Sequence, residues 1–260
     1  MNILIIGNGG REHCLVWKIS RSKLAGKIFA IPGNAGISQI ASCANISLNK
    51  ENFPEILRFI EKNRIDFTVV GPEAPLVDGI VNYLNDRGYP VFGPDMEAAK
   101  IEGSKVFTKK LCVKYNIPTS EAVFFNKFEF DKAISYARDL EDNKFPRVVK
   151  ADGLAAGKGV IIVQNKNEMI DSIKSFLKES KFGKSGDEIV IENFISGFEI
   201  SVLCLCDGKV LIPLDLAQDY KKIYDGDRGK NTGGMGSYSP IPFVDDKLYE
   251  KILTRIITPT

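Results

Sequence analysis

Between residues 150 and 159, two lysines and three glycines give the first indication of chemistry. The stretch Arg147–Val163 reads R-V-V-K-A-D-G-L-A-A-G-K-G-V-I-I-V, so that Lys150 and Lys158 bracket a loop holding Gly153, Gly157 and Gly159. Glycines leave a loop free to adopt positive φ and to lay successive N–H groups around an anion. Ammonium groups at its margins suit phosphate oxygens. The flanking β-branched runs, Val148–Val149 and Val160–Val163, predict strands. A glycine loop joining two antiparallel strands could close over a triphosphate as a flap; an ordinary mobile hairpin fits the same residues. A Walker A loop does not fit. That motif requires G-x-x-x-x-G-K-[ST] opening a helix, whereas here Gly159 stands at the hydroxyl position and a strand follows.

Further candidates lie at the ends of predicted strands. Asn2–Ile6 is an apolar run followed by Gly7-Asn8-Gly9-Gly10 and a helical pattern from Arg11 to about Ser20. Strand, glycine turn and helix open a Rossmann-like unit. A dinucleotide fingerprint needs glycine where Glu12 stands, and no acidic residue ends the next strand, Lys27–Ile31, so an NAD site is rejected. The turn keeps the physics of an anion site, with amides at a helix N-terminus and Arg11 beside them. A turn that merely joins strand to helix is equally compatible. Pro32-Gly33-Asn34-Ala35-Gly36 follows the second strand, Gly71-Pro72-Glu73-Ala74-Pro75 a strand at Asp66–Val70, and Gly93-Pro94 a strand at Pro90–Phe92. Ligands in open α/β sheets sit beyond such carboxyl ends, and Glu73 is the carboxylate among these loops; Gly-Pro pairs are also simply turns. Helices are predicted at Phe53–Asn63 and Leu76–Arg87, and His13 falls in the first turn of its helix.

Beyond Ala98 the pattern changes. Ser104 is placed to cap a helix from Lys105 to Tyr115, which Asn116-Ile117-Pro118 stops. Lys105 is in conflict with the helix dipole there, a conflict that an anionic ligand would relieve, although surface lysines are common. Helices are expected near Asp131–Asp142 and Asn167–Ser180, and strands at Glu188–Phe194 and Glu199–Cys206. Asp215–Ser239 is dense in charge and glycine without an apolar period, which reads as a solvated loop. Against that, Asn231-Thr232-Gly233-Gly234-Met235-Gly236 has the composition of a compact anion-binding turn, with Lys221, Lys222 and Arg228 nearby.

The bulk properties exclude several classes. With 44% hydrophobic and 26% charged residues over 260 positions, the chain reads as a soluble globular protein long enough for two domains. Thirty-five basic against thirty-three acidic residues are too balanced for nucleic acid or an anionic membrane as partner. No apolar run reaches the roughly 18 residues of a membrane span, and the opening residues argue against a signal peptide. Cys14, Cys43, Cys112, Cys204 and Cys206 form no C-x-x-C pair and predict reduced thiols in the cytoplasm. A single histidine makes a structural metal site improbable.

Jointly these segments resemble the ATP-grasp superfamily and, more narrowly, the phosphoribosylamine–glycine ligases (glycinamide ribonucleotide synthetases). The resemblance rests on G-N-G-G-R-E-H (Gly7–His13), P-G-N-A-G (Pro32–Gly36), G-P-E-A-P-L (Gly71–Leu76) and E-G-S-K-V-F-T-K (Glu102–Lys109). It continues through K-A-D-G-L-A-A-G-K-G-V (Lys150–Val160), Q-D-Y-K (Gln218–Lys221) and N-T-G-G-M-G-S-Y-S-P (Asn231–Pro240). It implies an α/β chain with a Rossmann-like substrate domain over 1–102, then an ATP-grasp region over 103–260 with a mobile lid at about 122–188, incomplete at its C-terminal side. By the same resemblance Lys105, Lys150, Gly153, Gly157, Lys158 and Gly159 contact ATP phosphates. Glu192 and Phe194 form an adenine hinge, and Glu199 meets the ribose. Gly9, Gly10, Arg11, Gly33, Asn34, Glu73, Asp215, Thr232, Gly233 and Gly234 bind substrate, and Asp219, Lys221 and Asn231 are catalytic. Asn193 and Phe198 depart from the family, which commonly has Glu at both; a hinge built from backbone groups tolerates this. The family's magnesium ligands, a Glu and an Asn, fall beyond Thr260, so none is expected within these residues.

The activity implied is ATP- and magnesium-dependent (or manganese-dependent) ligation of two small molecules, glycine and 5-phosphoribosylamine, by a monomer acting in purine synthesis. Glycine carboxylate would attack the γ-phosphate to give an acyl phosphate, which the amine then displaces. Such chemistry needs positioning and charge neutralisation rather than a Ser/His/Asp constellation. Two alternatives stand beside it: another purine-pathway ATP-grasp ligase or carboxylase, and a shortened, non-catalytic nucleotide-binding module.

Overall fold

A computed structural model describes residues 1–154, 159–179, 181, 183–226 and 228–260. The chain divides into two compact units, Met1–Gly103 and Ser104–Thr260.

The first unit is a parallel five-stranded sheet in the order β3-β2-β1-β4-β5. Its strands are β1 (Ile3–Gly7), β2 (Ile28–Pro32), β3 (Ser42–Cys43), β4 (Phe67–Val70) and β5 (Val91–Phe92); its helices are α1 (Gly10–Ser20), α2 (Phe53–Asn63), α3 (Glu73–Val77), α4 (Ile80–Asn85) and α5 (Lys100–Gly103). Side chains alternate across a strand, and β1 therefore feeds two cores. Leu4 and Ile6 join Phe53, Ile56 and Ile60 of α2 and Ile80 and Leu84 of α4. Ile3 and Ile5 join Val16 of α1, together with Ile37 and Ala41. A strand covered on both faces reads as a continuous apolar run, as Ile3–Ile6 does. The helix expected over Leu76–Arg87 is instead two helices, α3 and α4, because Gly79 at φ 88° interrupts it.

The second unit contains an antiparallel sheet in the order β6-β9-β7-β8, formed by β6 (Ala122–Asn126), β7 (Arg147–Ala151), β8 (Val160–Val163) and β9 (Glu188–Asn193). As expected, the two β-branched runs pair antiparallel, Arg147 opposite Val163 and Lys150 opposite Val160. One face is apolar: Val149 and Ala151 of β7 and Ile189 and Ile191 of β9 pack with α7 (Phe130–Asp139) and α8 (Lys166–Ile173), through Ala133, Ala137, Met169 and Ile173. α8 runs on as a wider turn over Lys174–Lys178, adding Phe176 and Leu177 to this core. The other face presents Val148 and Lys150 of β7 beside Val190 and Glu192 of β9. α6 (Lys105–Lys114) packs against β9.

Two antiparallel ribbons follow, β10 (Cys204–Cys206) with β11 (Leu211–Pro213) and β12 (Gln218–Tyr224) with β13 (Arg228–Tyr238), then α9 (Asp246–Ile252). Here two expectations are corrected. The strand expected over Glu199–Cys206 is reduced to β10 and an isolated bridge between Ser201 and Ala217. Asp215–Ser239, read as a loop with a compact turn at Asn231–Gly236, is mostly the β12–β13 ribbon, with Asn231–Gly236 inside β13. The ribbon carries a bulge, visible in its register. Tyr220 pairs with Gly236 and Lys222 with Asn231, so four residues of β13 oppose one of β12, and Gly234 at φ 124° turns the chain out of the ladder. No described helix is long and apolar enough to cross a membrane.

Candidate active site

Each unit places its own group of the predicted site residues. In the first unit these lie where β1, β2 and β4 end. Gly9 precedes α1 and Gly10 and Arg11 open it, Gly33 and Asn34 follow β2, and Glu73 opens α3. Asn34 locks two of these loops, donating Nδ2 to the Asn8 carbonyl at 2.8 Å and accepting the Ile37 N–H on Oδ1 at 2.9 Å. Arg11 reaches Glu73 at 3.1 Å, with side chains 79% and 37% exposed. A solvated pair of that kind is worth at most about 1 kcal/mol, so Arg11 stays available to a ligand. It nevertheless helps hold the Glu73 carboxyl below its usual range, along with a backbone N–H, although burial opposes the shift.

The sequence reading assigned nothing to Glu12 beyond its failure to be glycine. It is 4% exposed, and its Oε2 accepts the Gly9 N–H at 2.6 Å. Its side chain lies so close to Gly7, Gly9 and Gly71 that a Cβ at any of them would meet it. The glycine pattern here serves an internal carboxylate as well as any ligand.

In the second unit two predicted residues, Lys150 and Glu192, meet at one buried carboxylate, which Lys109 and Ser120 also reach. Lys150 on β7 and Glu192 on β9 are diagonal neighbours across the sheet, because Val148 pairs with Glu192 and Lys150 with Val190. Lys105 and Lys109 lie four residues apart and so share a face of α6. The Lys109 ammonium sits 2.5 Å from Glu192 Oε2, and Lys150 contacts Oε1. β6 supplies the last partner. Its Ala122 pairs with Glu192, which brings the preceding Ser120 in to donate Oγ to Oε2 at 2.6 Å. Lys109 also donates to Thr119 Oγ1 at 2.7 Å and to the Ser120 carbonyl at 2.9 Å. Burial, then the neighbouring Lys109 and Lys105 ammoniums, pull Lys150 down to about 8. Burial likewise lowers Lys109.

Lys105 occupies the predicted first turn, behind the Ser104 cap, whose Oγ accepts the Phe107 N–H at 3.0 Å. The expected conflict with the helix dipole is relieved within the chain: Lys105 Nζ donates to the carbonyls of Asp152 and Gly153 at 3.2 and 3.0 Å. Asp152 completes the arrangement. Its Oδ1 accepts the Val106 N–H at 2.7 Å and the Ser104 hydroxyl at 3.0 Å, tying the start of the glycine loop to the start of α6. Gly153 takes the close approach of Ser185 on the loop's other side.

Gly157 and Lys158 lie outside the described residues, as does the Asn231 side chain. Gly159 accepts the Ala151 N–H through its carbonyl at 2.8 Å. Phe194 is 43% exposed just after β9, and Asp215 and Glu199 lie outside regular strands. In the β12–β13 ribbon, Asp219 pairs with Lys221 and packs against the Gly234 backbone, where a Cβ would come within 2.9 Å of Oδ1. Thr232 braces the bulge, donating to the Lys221 carbonyl at 2.9 Å and accepting the Gly234 N–H at 3.1 Å. Lys109, Ser120 and Asp152 are functional candidates that sequence reasoning passed over. Lys109 and Asp152 sit inside quoted motifs, but their partners are distant in sequence.

Comparison with known proteins places both units. Residues 1–102 match the phosphoribosylglycinamide synthetase N domain, and residues 103–260 match the phosphoribosylglycinamide synthetase ATP-grasp (A) domain. The chain is 44% identical to a phosphoribosylamine–glycine ligase of Haemophilus influenzae over 260 residues, all of this chain and 59% of that protein. The phosphoribosylamine–glycine ligase structure from Thermotoga maritima superposes with a TM-score of 0.78 at 31% identity, over 97% of this chain and 58% of that one. A D-alanine–D-alanine ligase from Bacillus anthracis, solved with ATP, shares the fold at a TM-score of 0.60 and 21% identity, over 97% of this chain and 74% of that one. The chain thus spans about three-fifths of the length of the curated ligase it matches. With both units matched and identity sustained along its whole length, the chain belongs to the phosphoribosylglycinamide synthetase family.

Proposed function

We propose that this chain serves the ATP-dependent ligation of glycine to 5-phosphoribosylamine, giving glycinamide ribonucleotide, ADP and phosphate through a glycyl phosphate. The observation that carries the reading is the cluster of Lys109 and Lys150 on one buried carboxylate, with Lys105 close to Lys150 at the root of the glycine loop. Two ammoniums on Glu192 and a third on the carbonyls of the glycine loop, with Asp152 already engaged by Ser104 and a backbone N–H, leave an excess of positive charge that suits a polyphosphate. Bound there, the nucleotide supplies a phosphoryl group that activates a carboxylate toward an amine. Lys105 and Lys150 would hold its phosphates, and the first unit's amide loops, with Arg11 and Asn34, would take the phosphorylated amine. Asp219 and Lys221, braced by Thr232 and Gly234, would orient the small acid. Asp152 and Glu192 do not fit a divalent cation, since their oxygens are committed to N–H, hydroxyl and ammonium donors.

The test is turnover. With ATP, magnesium, glycine and 5-phosphoribosylamine, formation of glycinamide ribonucleotide should depend on both amine and glycine. ATP consumption supported equally well by bicarbonate or by D-alanine would favour a different ligase and refute the assignment.

A further inference from the structure

Glu192 is shared by two ammoniums that differ in their freedom to leave it. The Lys109 side chain is 13% exposed and tied to Thr119 and Ser120 as well as to Glu192; that of Lys150 is 29% exposed, and Glu192 is its one charged contact among the described residues. For Lys150 to serve a phosphate it must turn away from Glu192, whose own side chain is only 4% exposed. A buried carboxylate stripped of its counter-ion is strongly unfavourable. We propose that Lys109 is a positioning residue that acts as a resident counter-ion: it neutralises Glu192 while Lys150 moves from the carboxylate to the nucleotide's phosphates, so that phosphate binding leaves no buried charge alone. Ser120 assists by donating its hydroxyl to the same oxygen that Lys109 contacts. In this arrangement Lys109 touches no substrate, and its effect on affinity passes entirely through Glu192.

The inference rests on the nucleotide reading above, and the experiment separates the two. ATP and adenosine binding to the 260-residue chain are measured by calorimetry for wild type, Lys109→Met, Lys109→Arg, Glu192→Gln and the Lys109→Met/Glu192→Gln double variant. Lys109→Met should weaken ATP at least about tenfold while adenosine changes less than about twofold. Lys109→Arg, which keeps the charge, should stay near wild type. Adding Glu192→Gln to Lys109→Met should restore ATP affinity to within about threefold of Glu192→Gln alone, because the amide needs no counter-ion. Rescue of that kind is not expected if Lys109 touches phosphate or merely supports folding. A double variant as weak as Lys109→Met, or a Lys109→Met that binds ATP normally, overturns the proposal while leaving the nucleotide site intact. Wild type that fails to bind either ligand refutes the nucleotide reading itself, and this inference with it.

Discussion

The pH dependence of nucleotide affinity gives the most direct check on the lysine cluster. Lys150 titrates near 8 in the ligand-free chain, from an ordinary value of 10.5, because burial and two neighbouring ammoniums disfavour its charge. A bound phosphate favours the charged form, so the lysine's value in the complex lies above its free value. Affinity is therefore fully present below the free value and declines as pH rises through the window between the two. Because Lys150 exchanges Glu192 for phosphate, a charge-assisted contact of about 1.5–3 kcal/mol sets an upper limit of about one to two pH units on the rise. On that basis, going from pH 7 to pH 9 should weaken ATP by up to about five- to tenfold, and the decline should level off once the complex also titrates. Isothermal calorimetry in buffers of matched ionic strength reads this directly, and proton uptake on binding should appear near pH 8–9. Lys150→Met should bind more weakly at pH 7 and lose the decline, and comparing the two proteins cancels any contribution from the nucleotide's own ionisation. Affinity that stays flat through pH 9 in the wild type, or a decline unchanged in Lys150→Met, would show that Lys150 does not neutralise phosphate.

Three further outcomes are expected. Lys105→Met should weaken ATP roughly tenfold in calorimetry with adenosine unchanged; equal losses for both ligands would assign Lys105 to folding. Asp152→Ala removes an acceptor from the first turn of α6 and should lower the stability of the second unit by about 1–2 kcal/mol in thermal unfolding; an unchanged melting temperature would mean water replaces the carboxylate without loss. Gly71→Ala drives a methyl group into Glu12 and should destabilise the first unit by about 1–3 kcal/mol in urea, whereas a neutral result would mean that Glu12 can swing aside.

The parts of the fold that were legible in the sequence carry their own period. Ile3–Ile6 and Val148–Val149 reveal strands because burial on a sheet face dictates β-branched apolar residues, and Ser104 announces α6 because capping is local. The β12–β13 ribbon was illegible for the opposite reason. Its residues, charged in β12 and glycine-rich in β13, lack an apolar period, and the ladder that orders them joins backbone to backbone, Gln218 to Tyr238 and Asp219 to Ser237. The site divides in the same way. Lys105, Lys150 and Gly153 stand out by type and spacing. Glu192 is marked in the sequence only as a hinge residue by resemblance, and its side-chain contacts with Lys109, Lys150 and Ser120 come from the assembled structure. That constellation exists only once β6, β7, β9 and α6 are assembled, and no local pattern encodes it.

The packing around Glu12 also constrains the order in which this loop can change. Its carboxylate fills the space that Cβ atoms at Gly7, Gly9 or Gly71 would need, so an alanine arriving first at any of these meets the full clash. If Glu12 shortens first, for example to serine, the immediate loss is one acceptor for the Gly9 N–H, about 1 kcal/mol, and alanine at Gly71 then no longer meets the three Glu12 atoms that crowd it. The same pair of substitutions is therefore accessible along one route and obstructed along the other. Glu12 acts as a gatekeeper for variation in two loops that are separated in sequence and that its side chain touches at once.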